Sequence, residues 1–194
     1  QGKTGTNHLT ATGKNNCRQP EEIVDAGHLT AFLRRQGVGV KEKQPAGRYH
    51  FGPGEEMQHD TSPHDVKVGQ SVRRLQCASL VLCYSRLIFA RAYPVWNRFQ
   101  ARIFLSEAVQ AFGGSAARCM IDNSSVIIAH GTGKHAVPAA EMVALSERFG
   151  FHFVAHELGD ANRSARVERP FHYIERNFYP GRHFADLADL NVQF

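Results

Sequence analysis

Two strongly β-like runs stand back to back in the middle of this chain, RRLQCASLVLCYS (73–85) and RLIFARAYPV (86–95), and they limit what it can become. With only Ser85 and Arg86 at the junction, they read as an antiparallel hairpin. A preceding stretch, EMQHDTS (56–62), can form a further strand that carries Asp60. Beyond the hairpin the period changes. In WNRFQARIFLSEAVQAFGG the residues Phe99, Ile103, Leu105, Val109 and Phe112 recur at near-helical intervals until Gly113-Gly114 stops the helix. ARCMID (117–122) is a fourth strand ending on Asp122, PAAEMVALSERFG a helix closed by Gly150, FHFVAHEL a fifth strand, and ARVERPFHYIERNF a last long helix. Three strands, helix, strand, helix, strand, helix predicts an α/β domain: a five-stranded mixed sheet flanked by helices, with parallel strands wherever a helix links them.

The domain is expected over residues 56–194, behind a flexible leader (1–22) and a short basic helix with an extended linker (23–55). The helix signal is EEIVDAGHLTAFLRRQG, with Arg34 and Arg35 in its last turn; the linker signal is the Pro- and Gly-rich stretch 38–55. Hydrophobic content of 42% and charged content of 21% describe an ordinary globular chain. No apolar run reaches the roughly 18–20 residues of a membrane span, and no secretory signal layout opens the chain, so a cytoplasmic protein is expected. Starting at Gln1 and stopping at Phe194 inside a helix-like run, the chain reads as a piece of something longer. Cys17, Cys77, Cys83 and Cys119 have neither metal-ligand nor disulfide-scaffold spacing, and the last three sit in apolar runs as small core residues. Eleven histidines form no zinc-finger pattern with them. GKT at Gly2–Thr4 and HGTGKH at 130–135 both lack the first glycine of a phosphate loop. A net charge of +5 and a pI near 9.2 favour a polyanionic partner.

Open α/β sheets place their chemistry at the carboxyl ends of strands, and Asp122 occupies such an end. Asp60 puts a carboxylate inside a strand whose sheet needs an apolar interior, so it needs a partner or a cation. Glu168 lies near the start of the final helix, beside the apolar stripe Val167, Phe171, Ile174 and Phe178. Three carboxylates brought together repel unless cations neutralise them. Hard divalent ions do so while leaving positions for water and phosphate oxygen. Two such ions suit in-line displacement at a phosphodiester, which also suits the basic charge.

These residues, with PGEEMQHD, LVLCYSRLIFA, AVQAFGG, IDN, RSARVERPFHYIERNF and GRHFADLADLN in this order, resemble the integrase catalytic core of the ribonuclease H-like superfamily. In particular they are similar to IstA-type insertion-sequence transposases over about residues 53–193. The resemblance implies a metal-dependent DNA transposase core with Asp60, Asp122 and Glu168 as catalytic, metal-binding acids. It implies Mg²⁺, with Mn²⁺ as a substitute. Asp60 is expected to touch both ions, with Asp122 and Glu168 each completing one side. Implied partners are double-stranded DNA (element ends and target), further copies of the chain in a homo-oligomer and an AAA+ ATPase helper, in a nucleoid-associated bacterial setting. Asn123, beside the second acid, is expected to support the site or touch substrate, and residues 124–138 to be the mobile loop that closes on DNA. Lys134, Arg166 and Arg169 are the expected DNA contacts, with Arg176 on the same helix.

Departures from the family pattern are Ser124 and Ser125 where a basic residue is common, Ala165 where glycine is usual, and Pro170 two residues past Glu168. Proline is tolerated in a first helical turn, so a helix starting near Arg166 or Val167 keeps Glu168 in that turn. The alternative is an inactive or domesticated core that serves as a DNA-binding or oligomerisation module. Among other acids, Asp65 in SPHD reads as a turn residue, and Glu157 and Asp160 as loop-flanking surface residues. Trp96 and Phe99 read as core anchors and His172 as a surface or packed histidine.

Overall fold

The computed structural model describes residues 32, 33, 35, 36, 50–157 and 170–194. The chain divides into two units, residues 1–45 and 46–194. In the first, Phe32, Leu33 and Arg35 are helical, and the Gln36 N–H donates to Phe32 O at 3.0 Å. The leader, most of the expected basic helix and linker, and Cys17 lie outside the described residues.

The second unit is built on a five-stranded sheet in the order β3-β2-β1-β4-β7, from β1 (Glu56–Val68), β2 (Ser71–Leu82), β3 (Ile88–Tyr93), β4 (Arg118–Ile121) and β7 (His152–Ala155). β1, β2 and β3 pair antiparallel; β4 is parallel to both β1 and β7. The expected five-stranded mixed sheet is therefore present, with parallel neighbours where helices connect the strands.

Helix α1 (Arg98–Phe112) is started by Asn97, whose side chain accepts from the amides of Phe99 and Gln100. Gly113 ends it at φ 73°, and Gly150 ends α2 (Ala140–Phe149) at the same angle. Both helices cover one sheet face, where Met57, Leu80, Cys119 and Ile121 meet Phe104, Leu105, Val109, Met142 and Leu145. Trp96 anchors this core, as expected, with its ring 5.2 Å from Tyr93 and 6.1 Å from Phe104.

The opposite face is covered by α3, whose described part runs from 170 to 173 and continues as a π-helical turn Ile174–Phe178, and by α4 (Leu187–Gln193). Phe171 and Ile174 pack with Cys77 and Ala90; Phe184 and Leu190 pack with Val66, Val68, Leu75 and Ala92. α4 also closes the open edge of β3, since the Asn191 side-chain amide accepts from Ala92 N at 2.7 Å and donates to Ala92 O at 2.9 Å.

Three expectations are corrected. SPHD is not a turn: β1 runs on through Pro63 to Val68, and Asp65 pairs across the ladder with Arg74 at 3.0 Å. β4 pairs with β1 only as far as Gln58, so Pro63 sits on a strand edge where its missing N–H breaks no ladder bond. Next, Phe99 is not a core residue but 63% exposed, with Ile103 exposed beside it; small Ala101 and Ala108 let α1 approach the sheet along the Phe104 face instead. Finally, residues 124–138 are more than an open loop. β5 (Ile128–His130) pairs antiparallel with β6 (Val137–Pro138) across a 3₁₀ turn, Gly133–His135.

Candidate active site

The β1–β4 ladder sets the site. Glu56 faces Arg118, Met57 faces Cys119 and Gln58 faces Met120, an offset of 62 residues at each step. Asp60 and Asp122 share that offset, each two residues past the last paired position, Gln58–Met120. The strand alternation puts Asp60 on the face of Val66 and Val68, the face covered by α3 and α4, opposite Met57 and the α1–α2 core. Asp122 follows the last residue of β4. Chain connections leave this pair of strands in opposite directions, β1 toward β2 and β4 toward β7; β4 ends at Ile121, while β1 runs eight residues past Asp60 to Val68. The two acids therefore belong to neighbouring strands, Asp60 within β1 and Asp122 just past β4.

Local hydrogen bonds shape each acid. Asp60 Oδ1 accepts from Thr61 N at 2.7 Å, and its residue is half-buried. Asp122 is exposed and its Oδ1 accepts from Ser124 N at 3.1 Å, an Asx-type turn that bends the chain away from the strand end. On the other face of β1, buried His59 donates from Nδ1 to Ser79 O at 2.9 Å and packs against Trp96 and Phe104. Burial pushes the His59 imidazole below its ordinary pKa, against the opposing pull of the Ser79 carbonyl and the Asp122 charge.

Asn123 is a brace. Its Nδ2 donates to His156 O at 3.0 Å, beyond β7, while its Oδ1 accepts from Gly133 N at 2.9 Å. One side chain thus ties the ends of two parallel strands to the turn that carries Lys134, which is exposed. Gly131 makes the turn possible: at φ 77° a Cβ there would meet His135 O at 2.0 Å. Asn123 thus bridges the end of β7 and the Gly133 turn through its side chain.

The donor chemistry fits Mg²⁺ or Mn²⁺. Both acids offer hard oxygens, and Mg²⁺ is commonly held by one or two carboxylates with water and phosphate completing its shell. Among the described residues no group of three or more His, Cys, Asp or Glu is gathered for a metal. Glu168, Arg166, Arg169 and Asp160 lie outside the described residues. The helix that follows Glu168 in the chain, α3, packs on the Asp60 face; its described part begins at Pro170, and Arg176 and His172 are exposed on it. Glu157 is exposed as expected. Among the described residues no helix is long and apolar enough to cross a membrane.

No family model matches the chain. It is 24% identical over 147 residues to the transposase for insertion sequence element IS640 of Shigella sonnei, covering 75% of this chain and 47% of that protein. The IS21 transposase of Pseudomonas aeruginosa is likewise 24% identical over 147 residues, covering 75% and 38%. A transposase of Aminobacter aminovorans is 27% identical over 171 residues, covering 84% and 34%. The chain spans less than half the length of each of these relatives. In structure it is similar to a chain of the simian T-cell lymphotropic virus intasome in complex with the PP2A regulatory subunit B56 gamma. The TM-score is 0.55 at 16% identity, covering 79% of this chain and 52% of that one. The catalytic core domain of BIV integrase gives a TM-score of 0.51 at 13% identity, covering 72% and 80%. The chain is thus similar in sequence to insertion-sequence transposases and has the ribonuclease H-like fold of an integrase catalytic core.

Proposed function

We propose that residues 56–194 are the catalytic core of a DNA transposase, a polynucleotidyl transferase that cuts at the ends of its element and joins the freed 3′ hydroxyl to target DNA. The observation that carries this reading is that β1 and β4 are parallel neighbours and that Asp60 and Asp122 each stand two residues past their last paired position, Gln58–Met120. It is supported by the packing of α3, which follows Glu168, on the same sheet face as Asp60.

In this reading Asp60, Asp122 and Glu168 hold Mg²⁺, or Mn²⁺ in its place, and the bound ions supply Lewis-acid activation of the attacking oxygen and stabilisation of the leaving one. The remaining work belongs to the chain itself. Asn123 holds the Gly131–His135 turn against the strand ends, so that Lys134 is presented at a fixed place beside the acids. Lys134, Arg166 and Arg169 bind DNA phosphates, a contact that positions the duplex without reading its sequence. His59, kept neutral by burial, adds no positive charge that would compete for the two carboxylates. Partners in this reading are double-stranded DNA, other copies of the chain and an AAA+ ATPase helper, in the bacterial cytoplasm at the nucleoid.

The test is a crystal soak in Mn²⁺ with anomalous scattering, comparing the unaltered chain with Asp122→Asn. An anomalous peak bound by Asp60 and Asp122 that the substitution removes supports the reading. Absence of any peak between these acids at saturating Mn²⁺ overturns it in favour of a DNA-binding or oligomerisation module.

A further inference from the structure

Asp60 and Asp122 are held by different means. Asp60 stands inside β1 with β2 alongside it, whereas Asp122 lies one residue beyond the last pairing of β4, Ile121 with Ala155, and is exposed. Its carboxylate is therefore aimed by the turn that follows. Asp122 Oδ1 accepts from Ser124 N at 3.1 Å, and Ser124 Oγ accepts from Val126 N at 3.3 Å. Ser124 O accepts from Ile127 N at 3.1 Å and from Ile128 N at 2.9 Å, and these two buried side chains return the chain to the core. The turn, DNSSVIIA (122–129), has no basic side chain of its own.

One reaches it from α1. Arg98 donates from Nε to Val126 O at 2.9 Å, from Nη2 to Ser125 O at 3.0 Å and from Nη1 to Glu141 Oε1 at 3.2 Å. Helix electrostatics does not explain an arginine here: it is the first residue of α1, where unpaired amides favour an acid, and that turn holds none. Nor does the ion pair explain it. The Arg98 and Glu141 side chains are 35% and 45% exposed, and a pair so open to water contributes little. What remains is the pair of carbonyl bonds. They are charge-assisted and come from one planar fork, so they fix both the place and the rotation of the peptides they hold.

We propose that Arg98 is a positioning residue: by gripping the Ser125 and Val126 carbonyls it sets the turn that presents Ser124 N to Asp122, and so aims the Asp122 carboxylate at the metal. This rests on the reading of Asp122 as a metal ligand. α1, seated in the core through Phe104 and Leu105, is then the fixed point from which the second acid is held. Charge and geometry predict opposite signs for this residue. Removing a cation beside a cation site tightens Mn²⁺ binding, by less than about twofold at physiological ionic strength. Removing a brace weakens it.

The experiment is Mn²⁺ affinity, read from the electron paramagnetic resonance of free Mn²⁺, for the unaltered chain and for Asp122→Asn, Arg98→Ala, Arg98→Lys, Glu141→Gln and the Arg98→Ala/Asp122→Asn pair. Arg98→Ala is expected to weaken binding roughly three- to tenfold, at or below the low end for loss of a ligand's outer partner, because Arg98 acts through the turn. Arg98→Lys keeps the charge but replaces the fork by a point donor, and is expected to weaken binding roughly two- to threefold. Glu141→Gln leaves both carbonyl bonds and should stay within about twofold of the unaltered chain. In the Asp122→Asn background Arg98→Ala should cost nothing further, because the ligand it aims is already gone. Hydrogen exchange on Arg98→Ala should show lost protection at Ile127 and Ile128, whose amides close the turn. Should Arg98→Ala fail to fold, by far-ultraviolet circular dichroism, Arg98→Lys carries the test. Asp122→Asn weakening Mn²⁺ binding while neither Arg98 variant does overturns the positioning role and leaves the reading of Asp122 standing. So does an Arg98→Ala loss that persists in the Asp122→Asn background, that Glu141→Gln matches, or that comes with protection at Ile127 and Ile128 retained. If Asp122→Asn binds Mn²⁺ like the unaltered chain, the reading of Asp122 falls and this inference with it.

Discussion

Glu56 is a carboxylate with 2% of its surface exposed, at the start of β1 and four residues before Asp60. It is tolerated there because every direction around it offers a donor: Arg118 Nε at 2.8 Å, Gln58 Nε2 at 2.8 Å and the Cys83 thiol at 3.8 Å. Arg118 is shared with Glu55 at 2.7 Å, and its burden of two carboxylates holds its pKa above the ordinary range, chiefly through the Glu56 bond. Because β1 and β4 meet at the Glu56–Arg118 register, this pair pins the ladder between the strand that carries Asp60 and the strand that leads into Asp122. Removing the arginine leaves a buried charge with only neutral donors. Arg118→Ala is expected to cost about 2–4 kcal/mol, below the full penalty for an orphaned buried ion because Gln58 remains. Urea denaturation measures it, and Glu56→Gln in the same chain should recover a large part of the loss. A loss under about 0.5 kcal/mol, the level of an ordinary surface pair, would show that the buried carboxylate does not depend on Arg118.

At the scale of elements, the β5–β6 ribbon is the part most dependent on a single backbone conformation. Gly113, Gly150 and Gly131 all have positive φ, but only at Gly131 does an added Cβ run into backbone, 2.0 Å from His135 O; at the two helix ends it would meet nothing within 4 Å. Gly113→Ala and Gly150→Ala should therefore cost about 1 kcal/mol each, the ordinary penalty of a left-handed alanine. Gly131→Ala should instead open the ribbon. Hydrogen exchange would show it as lost protection at Ile128 and Ala139, whose amides are bonded within this segment, with the sheet unchanged. Retained protection there would mean the turn has a second solution. None of this was legible in the chain, since Val137 and Pro138 make too short a strand to leave a periodic trace. The second half of β1 was legible and masked by its own residue types: HDVKV alternates buried and exposed, yet Pro63 and Asp65 read as a turn until the open edge explains them. α1 misled for another reason. Its inner face is lined with Ala101 and Ala108, which carry little hydrophobic weight, while conspicuous Phe99 and Ile103 lie outside.

For the whole molecule, what the sequence could not show is the pairing that makes a site. Asp122 was readable as a strand-end acid, and Asp60 as an acid out of place in a strand, but that β1 and β4 pair in parallel at the same 62-residue offset just before the two acids is seen only in the fold. If Asp60 and Asp122 hold a divalent ion, as proposed above, that ion offsets the repulsion between the two carboxylates. Binding to the folded state alone must raise stability. With a dissociation constant on the order of 1 mM, 10 mM Mg²⁺ adds about 1.4 kcal/mol by mass action. For a domain of this size that raises the Tm by roughly 3–6 °C. Scanning calorimetry with MgCl₂ against KCl at equal ionic strength isolates this gain from screening of surface charge. Asp122→Asn makes two opposite changes: without Mg²⁺ it relieves the repulsion and leaves the Tm equal or higher, and with Mg²⁺ it removes the gain. A variant that still rises with MgCl₂ as the unaltered chain does would place the bound ion elsewhere and overturn the assignment of Asp122 as a metal ligand.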